Sequence, residues 1–468
     1  MADQTIPNAG FVFDNTYARE LAGFYALGEA AKAPAPRMIR LNQGLAHELG
    51  LDVAVLQSLT GAEILSGNAV PDGASVLAQA YAGHQFGHFV PQLGDGRALL
   101  LGEVLDRNGR RRDIQFKGSG RTVFSRGGDG KAALGPVLRE YIMGEAMHAL
   151  AVPTTRALAA VATGERVYRE RALPGAVLTR VAASHVRVGT FQFFAARGET
   201  EKVRQLADYT IRRHYPQATS CVELLEAVID AQASLIAKWM HVGFIHGVMN
   251  TDNMAVSGET IDYGPCAFMD GYSAGTVFSS IDHMGRYAYG RQPEIALWNL
   301  TRLAESLLPI ITEEAAVAAL KSYWARYERY WLQGMRAKMG LETHDEGDGE
   351  LARGLLKAIE GRDYTSTFRN LAQDLDLGAW TEQWLRRLAR EGATPADRAE
   401  AMSRVNPVYV PRNHRVEEAL RSAEADEMGP FASLCDVISA PYTAREEWAE
   451  YAGPAADGNP GYRTFCGT

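Results

Sequence analysis

The stretch HGVMNTDNMAVSGETIDYG, residues 246 to 264, combines residues suited to metal and phosphate chemistry with one that is not. His246 and Asn253 have the spacing found in phosphotransferase loops between the histidine that braces the loop and the asparagine that holds a metal ion. In such loops an aspartate two positions after the histidine orients the acceptor hydroxyl. Here that position is Val248, whose side chain accepts no proton. The stretch therefore predicts metal binding without the usual base.

Two oxygen-bearing side chains of this stretch form a candidate metal site. Asp262, in TIDYG, follows a short apolar run that predicts a strand, and Asn253 lies in the preceding loop. Mg²⁺ prefers carboxylate, amide and phosphate oxygens, so the pair predicts a magnesium site. Asp252 is the nearest remaining carboxylate that could serve as a base. A loop-capping role for Asp252 is equally open from the residue types alone.

Candidate phosphate contacts lie earlier in the chain. Gly94 and Gly96, in QLGDGRALLLGE, would let the backbone approach a ligand closely, and Arg97 adds a cation beside them. An ordinary hairpin turn explains these glycines equally well. Lys117 ends a predicted strand and Glu140 lies in the middle of the next predicted helix. A strand lysine held by a helix glutamate contacts phosphates in kinase-like enzymes.

Two further segments carry candidate nucleotide contacts. Asp129 and Gly130, in GSGRTVFSRGGDGKAALG, could contact a nucleotide or only shape the loop. Arg180 and Arg187, in LTRVAASHVRVG, could clamp phosphate oxygens with their guanidinium groups. Surface salt bridges are the more ordinary role for arginines at this spacing.

Composition narrows the class of protein. The chain has 468 residues, of which 46% are hydrophobic and 22% charged, as in ordinary globular proteins. A net charge of −8 argues against a general nucleic-acid binder. The absence of an apolar run of about 18 residues and of a signal-peptide pattern predicts no membrane span and a cytoplasmic location. Four scattered cysteines argue against a disulfide scaffold.

The order of patterns predicts an α+β fold with four segments. These are an N-terminal extension (1–75), a small β-rich lobe with one key helix (76–155), a larger and mostly helical lobe with the catalytic loop and metal site (156–340), and a helical C-terminal extension (341–468). The dipeptide Asn108-Gly109 between two apolar runs predicts a β-hairpin. The acidic run THDEGDGE, residues 343 to 350, predicts a solvated linker.

Long motifs along the chain resemble the selenoprotein O family. The motifs are FDNTYAREL, LNQGLAHELGL, LTRVAASHVRVGTF, HGVMNTDNMAVSGETIDYGPCAFMD, GRYAYGRQP, NPVYVPRNHRVEEAL and the terminal YRTFCGT. The resemblance spans almost the whole chain. It implies a protein-kinase-like bilobal fold that transfers AMP from ATP to Ser, Thr or Tyr hydroxyls of proteins, with self-modification open and pyrophosphate released. It also implies that ATP binds reversed relative to kinases, which would make a base at position 248 dispensable.

The resemblance also implies roles for the candidate residues. Asp252 would accept the proton, and Asn253 and Asp262 would bind Mg²⁺ or Mn²⁺. The implied nucleotide contacts are Gly94, Gly96, Arg97, Lys117, Asp129, Gly130, Arg180 and Arg187, with Glu140 positioning Lys117. Three different activities stay open: UMP transfer from UTP, phosphoryl transfer with Asp252 as base, and nucleotide binding without turnover.

The C-terminus departs from those family members that carry selenocysteine there. This chain has Cys466 in a similar place, and Cys266 lies four residues after Asp262. One hypothesis is a redox-sensitive disulfide between Cys266 and Cys466 that tethers the tail over the site. Two independent thiols are the competing interpretation.

Overall fold

The structure is a computed structural model that describes residues 8–373, 375–456 and 461–465. The first part of the chain, from Tyr25 to Ala182, contains one eight-stranded sheet whose strands differ in length. Its strands are β1 (Tyr25–Leu27), β2 (Arg37–Leu41), β3 (Leu77–Gln79), β6 (Ala98–Leu105), β7 (Arg111–Lys117), β8 (Ala132–Ala133), β9 (Arg156–Tyr168) and β10 (Ala172–Ala182). Two short strand pairs stand apart from it, β4 (Gly83–Gln85) with β5 (His88–Val90), and β11 (Phe244–Ile245) with β12 (Ala267–Phe268).

The large sheet is antiparallel, in the order β1-β3-β6-β7-β10-β9-β2, with β8 beside β10. The predicted hairpin joins β6 to β7, and Gly109 in its turn has φ +73°. Register places Lys117 of β7 opposite Leu178 of β10, and Gln115 opposite Arg180. Because side chains alternate along a strand, Lys117 and Gln115 lie on the same face of the sheet.

Helices surround the sheet and form the remainder of the chain. They are α1 (Thr16–Glu20), α2 (Gln43–Glu48), α3 (Val53–Gln57), α4 (Leu59–Ser66), α5 (Leu134–Ala149), α6 (Val188–Ala195), α7 (Thr200–His214), α8 (Cys221–Val242), α9 (Gln292–Leu307), α10 (Glu313–Lys321), α11 (Tyr323–Lys338), α12 (Asp348–Ala358), α13 (Tyr364–Asn370), α14 (Ala379–Leu388), α15 (Pro395–Ser403), α16 (Asn413–Glu424) and α17 (Gly429–Ile438). Single 3₁₀ turns span Thr251–Asn253, Tyr289–Arg291 and Leu371–Gln373, and a longer one spans Glu446–Tyr451.

Two hydrophobic cores cover the two faces of the sheet. On one face, the short helices α2, α3 and α4 pack against alternate strand residues such as Leu101 and Val177. On the other face, α5 packs against their neighbours Leu100 and Leu178, in a core that continues into α8, α9, α16 and α17. The helix that carries Glu140 is therefore fixed between the sheet and the C-terminal helices. A third core, around α11 to α15, is more distant from the sheet.

The predicted mixture of strands and helices is confirmed, but particular boundaries differ. β10 pairs with β7, and β9 pairs with β10, so both strands belong to the same sheet as β7. The predicted boundary between residues 155 and 156 therefore divides that sheet. β1 and β2, from the predicted N-terminal extension, form the two edges of that sheet. The segment before Asp262 is not a regular strand, because only Thr260 pairs, with Thr154, in an isolated bridge.

The acidic run at 343 to 350 is only partly a solvated linker. Its residue Asp348 is fully buried, where it accepts hydrogen bonds from Arg336 (2.7 Å) and Arg387 (2.8 Å). In the described parts of the chain, no helix is both long and apolar enough to cross a membrane.

Candidate active site

A cleft of about 1440 Å³ lies between the sheet, α5 and the catalytic loop, which we define as His246–Asn253. Every site residue predicted from the sequence lines this cleft: Gly94, Gly96, Arg97, Lys117, Asp129, Gly130, Glu140, Arg180, Arg187, Asp252, Asn253 and Asp262. The fold thus brings together residues that are up to 168 positions apart in the chain, from 94 to 262.

Three cations converge on the carboxylate of Asp262. Its Oδ1 accepts hydrogen bonds from Lys117 Nζ (2.6 Å) and Arg180 Nη1 (2.7 Å), and its Oδ2 accepts one from Arg187 Nη1 (2.7 Å). Glu140 adds a second carboxylate, bonded to Lys117 Nζ (2.6 Å) and Arg180 Nη1 (3.0 Å). The three cationic residues are at most 9% exposed. This buried cluster brings three cationic hydrogen-bond donors to the cleft and is therefore suited to an anion.

The elements of the fold explain how these side chains meet. Lys117 ends β7, Glu140 lies in α5 on the same face of the sheet, and Arg180 comes from the neighbouring strand β10. Arg187 directly precedes α6, and an isolated bridge to Ala255 holds its backbone beside the catalytic loop. The cluster therefore joins the sheet to the loop region.

The electrostatic state of Asp262 follows from these surroundings. Burial alone would raise the pKa of its carboxyl, but the charges of Lys117, Arg180 and Arg187 hold that pKa well below its usual range. The residue has φ +63°, in the left-handed region that side-chain-bearing residues seldom adopt. Such backbone strain is characteristic of functional positions, where surrounding contacts maintain it.

Around the three cations, the structure adds three residues that the sequence did not single out. Asp95 lies between the two predicted glycines, with Oδ1 3.8 Å from Arg187 Nη2, and burial raises its pKa to about 6. Gln115 accepts a hydrogen bond from Arg180 (2.6 Å) and donates one to Asp95 (3.2 Å). The Arg187 guanidinium lies 4.5 Å from the ring centre of Tyr81. Asp95 could have been predicted from the sequence, because it is a carboxylate that stands between the two glycines of a predicted turn.

The glycines of the cleft permit two loops to pack closely. A side-chain carbon on Gly94 would lie 2.3 Å from the ring of Phe124, and one on Gly130 would lie 2.0 Å from the carbonyl oxygen of Gly120. Both glycines have positive φ, +67° and +69°. The close packing shapes the basic loop at the mouth of the cleft, where Asp129 is exposed and bound by both terminal nitrogens of Arg169.

The catalytic loop is fixed at its start by His246. The Nε2–H of this buried residue donates to the carbonyl of Ile261 (2.9 Å), and its ring stacks on Trp239 with 5.3 Å between centroids. The loop follows α8, whose last residue Val242 precedes the C-cap Gly243 with φ +69°, a conformation that favours glycine. Val248 lines the cleft and is 7% exposed. The position of the usual base is therefore in the site but chemically inert.

Asp252 is the buried carboxylate of this loop. Its Oδ2 accepts a hydrogen bond from Gln85 Nε2 (3.2 Å), and its main-chain oxygen accepts one from Arg187 Nη1 (2.8 Å). Within the described ranges Oδ1 has no hydrogen-bond partner. Burial raises the pKa of Asp252 to about 6, against the opposing effect of Arg187. A carboxyl with a pKa near neutrality is suited to accept a proton.

Asn253 and Asp262 have donor atoms of the type that Mg²⁺ prefers. Asn253 Nδ2 donates to the carbonyl of Val248 (3.0 Å), and no hydrogen bond from a described residue reaches its Oδ1. Asp262 Oδ2 accepts one hydrogen bond, so one of its lone pairs remains. Where the structure describes the chain, no group of three or more His, Cys, Asp or Glu side chains has a ligating arrangement. The pair fits a metal that also takes phosphate and water oxygens.

The C-terminal tail closes one side of the cleft. Thr464 donates from its backbone N–H to Phe278 (2.8 Å) and from Oγ1 to the carbonyl of Pro265 (2.6 Å). The adjacent Cys266 is buried, which raises the pKa of its thiol to about 12. Cys466 lies outside the described residues, so the disulfide between the two cysteines stays a prediction.

Known proteins resemble the chain over nearly its whole length. The family model described as "Protein adenylyltransferase SelO" matches residues 9–439. A relative from Cereibacter sphaeroides named "Protein nucleotidyltransferase YdiU" is 60% identical, covering 98% of this chain and 100% of the relative. Relatives of the same name from Rhizobium rhizogenes and Rhizobium meliloti are each 56% identical to this chain. The match with the Rhizobium rhizogenes protein covers 97% of both chains, and the match with the Rhizobium meliloti protein covers 98% of this chain and 99% of the relative. The resemblance predicted from the motifs is thus confirmed, and the chain belongs to the SelO family of protein adenylyltransferases.

Proposed function

We propose that this chain is a magnesium-dependent protein adenylyltransferase, which transfers AMP from ATP to Ser, Thr or Tyr hydroxyls of proteins and releases pyrophosphate. Membership of the SelO family supports nucleotidyl transfer. The observation that carries the proposal is the convergence of Lys117, Arg180 and Arg187 on one buried carboxylate in the cleft. The acceptors are other proteins and, by self-modification, the chain itself.

The three cations form the phosphate clamp. Charges interact more strongly in a buried site than at the surface, because little water screens them. Lys117 and the two arginines stabilise the negative charge that develops on the leaving pyrophosphate. Glu140 holds Lys117 and Arg180 in place through its two oxygens. Gly94, Gly96, Arg97, Asp129 and Gly130 contribute the remaining nucleotide contacts.

The nucleotide binds with its phosphates reversed relative to a kinase. Val248 occupies the position of the kinase base, and Asp252 is the carboxylate of the same loop that lines the cleft. With the α-phosphate presented to the acceptor, Asp252 takes the proton of the attacking hydroxyl. The hydroxyl oxygen bonds to the α-phosphorus, the bond from that phosphorus to the bridging oxygen breaks, and pyrophosphate leaves with the electron pair.

Asn253 and Asp262 would hold a magnesium ion, with Mn²⁺ as the alternative metal. The ion would supply positive charge to the phosphate oxygens. The cleft volume of about 1440 Å³ exceeds the roughly 300–1,000 Å³ of most small-ligand pockets. It therefore has room for a nucleotide and for the segment of a protein acceptor that carries the hydroxyl.

The proposed architecture is protein-kinase-like and bilobal. The sheet through Ala182, with α5, forms the smaller lobe, and the helical region from α6 forms the larger one. The support is the order of parts: a strand lysine, a helix glutamate bonded to it, then a loop with an asparagine and a downstream aspartate. The C-terminal helices α16 and α17 pack on α5 and are proposed as an extension that supports the smaller lobe.

UMP transfer from UTP is the second candidate, because the relatives are named nucleotidyltransferases without a specified base. Phosphoryl transfer and nucleotide binding without turnover are less well supported by the site. Phosphoryl transfer would require Asp252 to replace the base that Val248 cannot provide. A non-catalytic protein would bind nucleotide through the same cations without transferring any part of it to an acceptor.

Label transfer to protein tests the proposal. The chain is incubated with Mg²⁺ and with ATP labelled on the α-phosphate, ATP labelled on the γ-phosphate, or UTP labelled on the α-phosphate. We expect protein labelling from α-labelled ATP that is lost in Asp252→Asn and retained in Asp436→Asn, whose exposed side chain pairs with Arg40 and does not line the cleft. Labelling from the γ-position would indicate a kinase, and stronger labelling from UTP would indicate UMP transfer. Nucleotide binding without label from any source would refute transfer.

A further inference from the structure

The hairpin formed by β4 and β5 lies over the catalytic loop. The backbone N–H of His84 donates to Thr251 Oγ1 (2.7 Å), and that of Phe86 donates to Asn250 Oδ1 (3.1 Å). These bonds anchor the residues on either side of Gln85 to the loop. The Gln85 side chain is therefore held at a fixed position above it.

Gln85 contacts the carboxylate of Asp252 directly. Its Nε2–H donates to Oδ2 at 3.2 Å, the one side-chain hydrogen bond to this carboxylate among the residues that the structure describes. The other oxygen, Oδ1, faces Gly83, where a side-chain carbon would lie 2.6 Å away. Only a glycine permits this approach, and Oδ1 is buried, so Oδ2 is the oxygen that remains for a proton.

The turn of the hairpin is strained and held by aromatic packing. Phe86 has φ +52°, an unusual value for a bulky residue. Its ring packs edge-on against Tyr287, with 5.2 Å between centroids. The Tyr287 hydroxyl donates to Asn250 Oδ1 (2.6 Å), the same atom that the Phe86 backbone contacts. The strained turn is thus tied to the loop that it covers, as expected where geometry serves a function.

We propose that Gln85 is a positioning residue for the proton-transfer step. Its amide fixes the rotation of the Asp252 carboxylate, and the second lone pair of Oδ2 takes the proton of the acceptor hydroxyl. A neutral amide suits this task because it donates a hydrogen bond without competing for the proton. Gln85 and Phe86 both line the cleft, so the hairpin also borders the path of the acceptor. The proposal rests on the proposed function, since it requires Asp252 to act as the base.

The test compares Gln85→Met, which keeps the length of the side chain but removes the donor, with Phe89→Ala in the same hairpin. Phe89 is 40% exposed, packs on His84 and does not line the cleft. We expect Gln85→Met to lower kcat for AMP transfer by about 10- to 100-fold, the effect of losing one hydrogen bond to a charged group. We expect its Kd for ATP and its melting temperature to equal those of the wild type, and Phe89→Ala to retain kcat.

Two results would overturn the proposal and can be told apart. If the wild type transfers AMP and Gln85→Met transfers it at the same kcat, Gln85 does not position the base. The same conclusion follows if Gln85→Met and Phe89→Ala lose kcat equally, because the hairpin then has only a structural role. If the wild type transfers no label from α-labelled ATP, the proposed function fails, and this inference fails with it.

Discussion

Replacing Asp262 by asparagine tests whether its carboxylate holds the cation cluster together. The substitution keeps the shape of the side chain and removes the charge that Lys117, Arg180 and Arg187 share. Together with Glu140 and Asp95, the cluster has three positive and three negative side chains when all are ionised, so its net charge rises from 0 to +1. Removing one partner from a buried ion pair costs about 3–5 kcal/mol, because the remaining charge is buried without compensation. We expect a loss of this size in the free energy of unfolding.

Urea denaturation followed by tryptophan fluorescence, with EDTA present and no nucleotide, measures this loss. Asp129→Asn is the matched control, because Asp129 also lines the cleft but pairs with Arg169 at the exposed surface. An exposed pair contributes at most about 1 kcal/mol. Inorganic tripolyphosphate should stabilise Asp262→Asn more than the wild type, since it supplies the missing negative charge. A loss below about 1 kcal/mol in Asp262→Asn would refute the argument.

Three further predictions concern packing, pH and catalysis. A side-chain carbon on Gly334 would lie 2.0 Å from the ring of His241, so Gly334→Ala should destabilise the protein by about 1–3 kcal/mol, even though alanine has the better helix propensity. The control is Gly349→Ala, where the added carbon meets only the flexible end of an arginine side chain, and it should not lower the melting temperature. Burial lowers the pKa of His185 to about 4, so between about pH 6.5 and 4 the unfolded chain binds more protons than the folded chain. The free energy of unfolding should therefore fall by up to about 3 kcal/mol as the pH decreases through this range. His185→Asn should flatten this pH dependence when it is measured by urea unfolding. Lys117→Met should lower kcat for AMP transfer by about 100-fold or more, and an unchanged kcat in the label-transfer assay would contradict its place in the phosphate clamp.

Residue type and order along the chain were sufficient to select residues that the fold places in one cleft, whereas their roles stay predictions. A lysine at the end of a strand and a glutamate inside the next helix meet at 2.6 Å, as their order indicated. The same reasoning missed Gln85, which contacts Asp252 from 167 positions earlier in the chain. Contacts of this kind depend on how distant segments pack, and no local pattern encodes them.

The differences between the predicted and the observed fold also arise from contacts between distant segments. The acidic run around Asp348 has the composition of a solvated linker, but Arg336 and Arg387, from α11 and α14, compensate the burial of that carboxylate. The boundary predicted at residues 155 and 156 was placed where the local pattern changed after α5. Pairing of β10 with β7 keeps the next two strands in the same sheet.

The edges of the sheet have a consequence for how the protein is made. The edge strand β2 pairs with β9, so that Leu41 lies beside Ala159, about 120 residues later in the chain. At roughly 5–20 residues per second, a ribosome needs about 6–24 s to synthesise that interval. During this time β2 has no partner from the large sheet, whereas β6 and β7 can pair as soon as their hairpin emerges. We expect the nascent sheet to form from its centre outwards, with β2 unpaired until β9 appears.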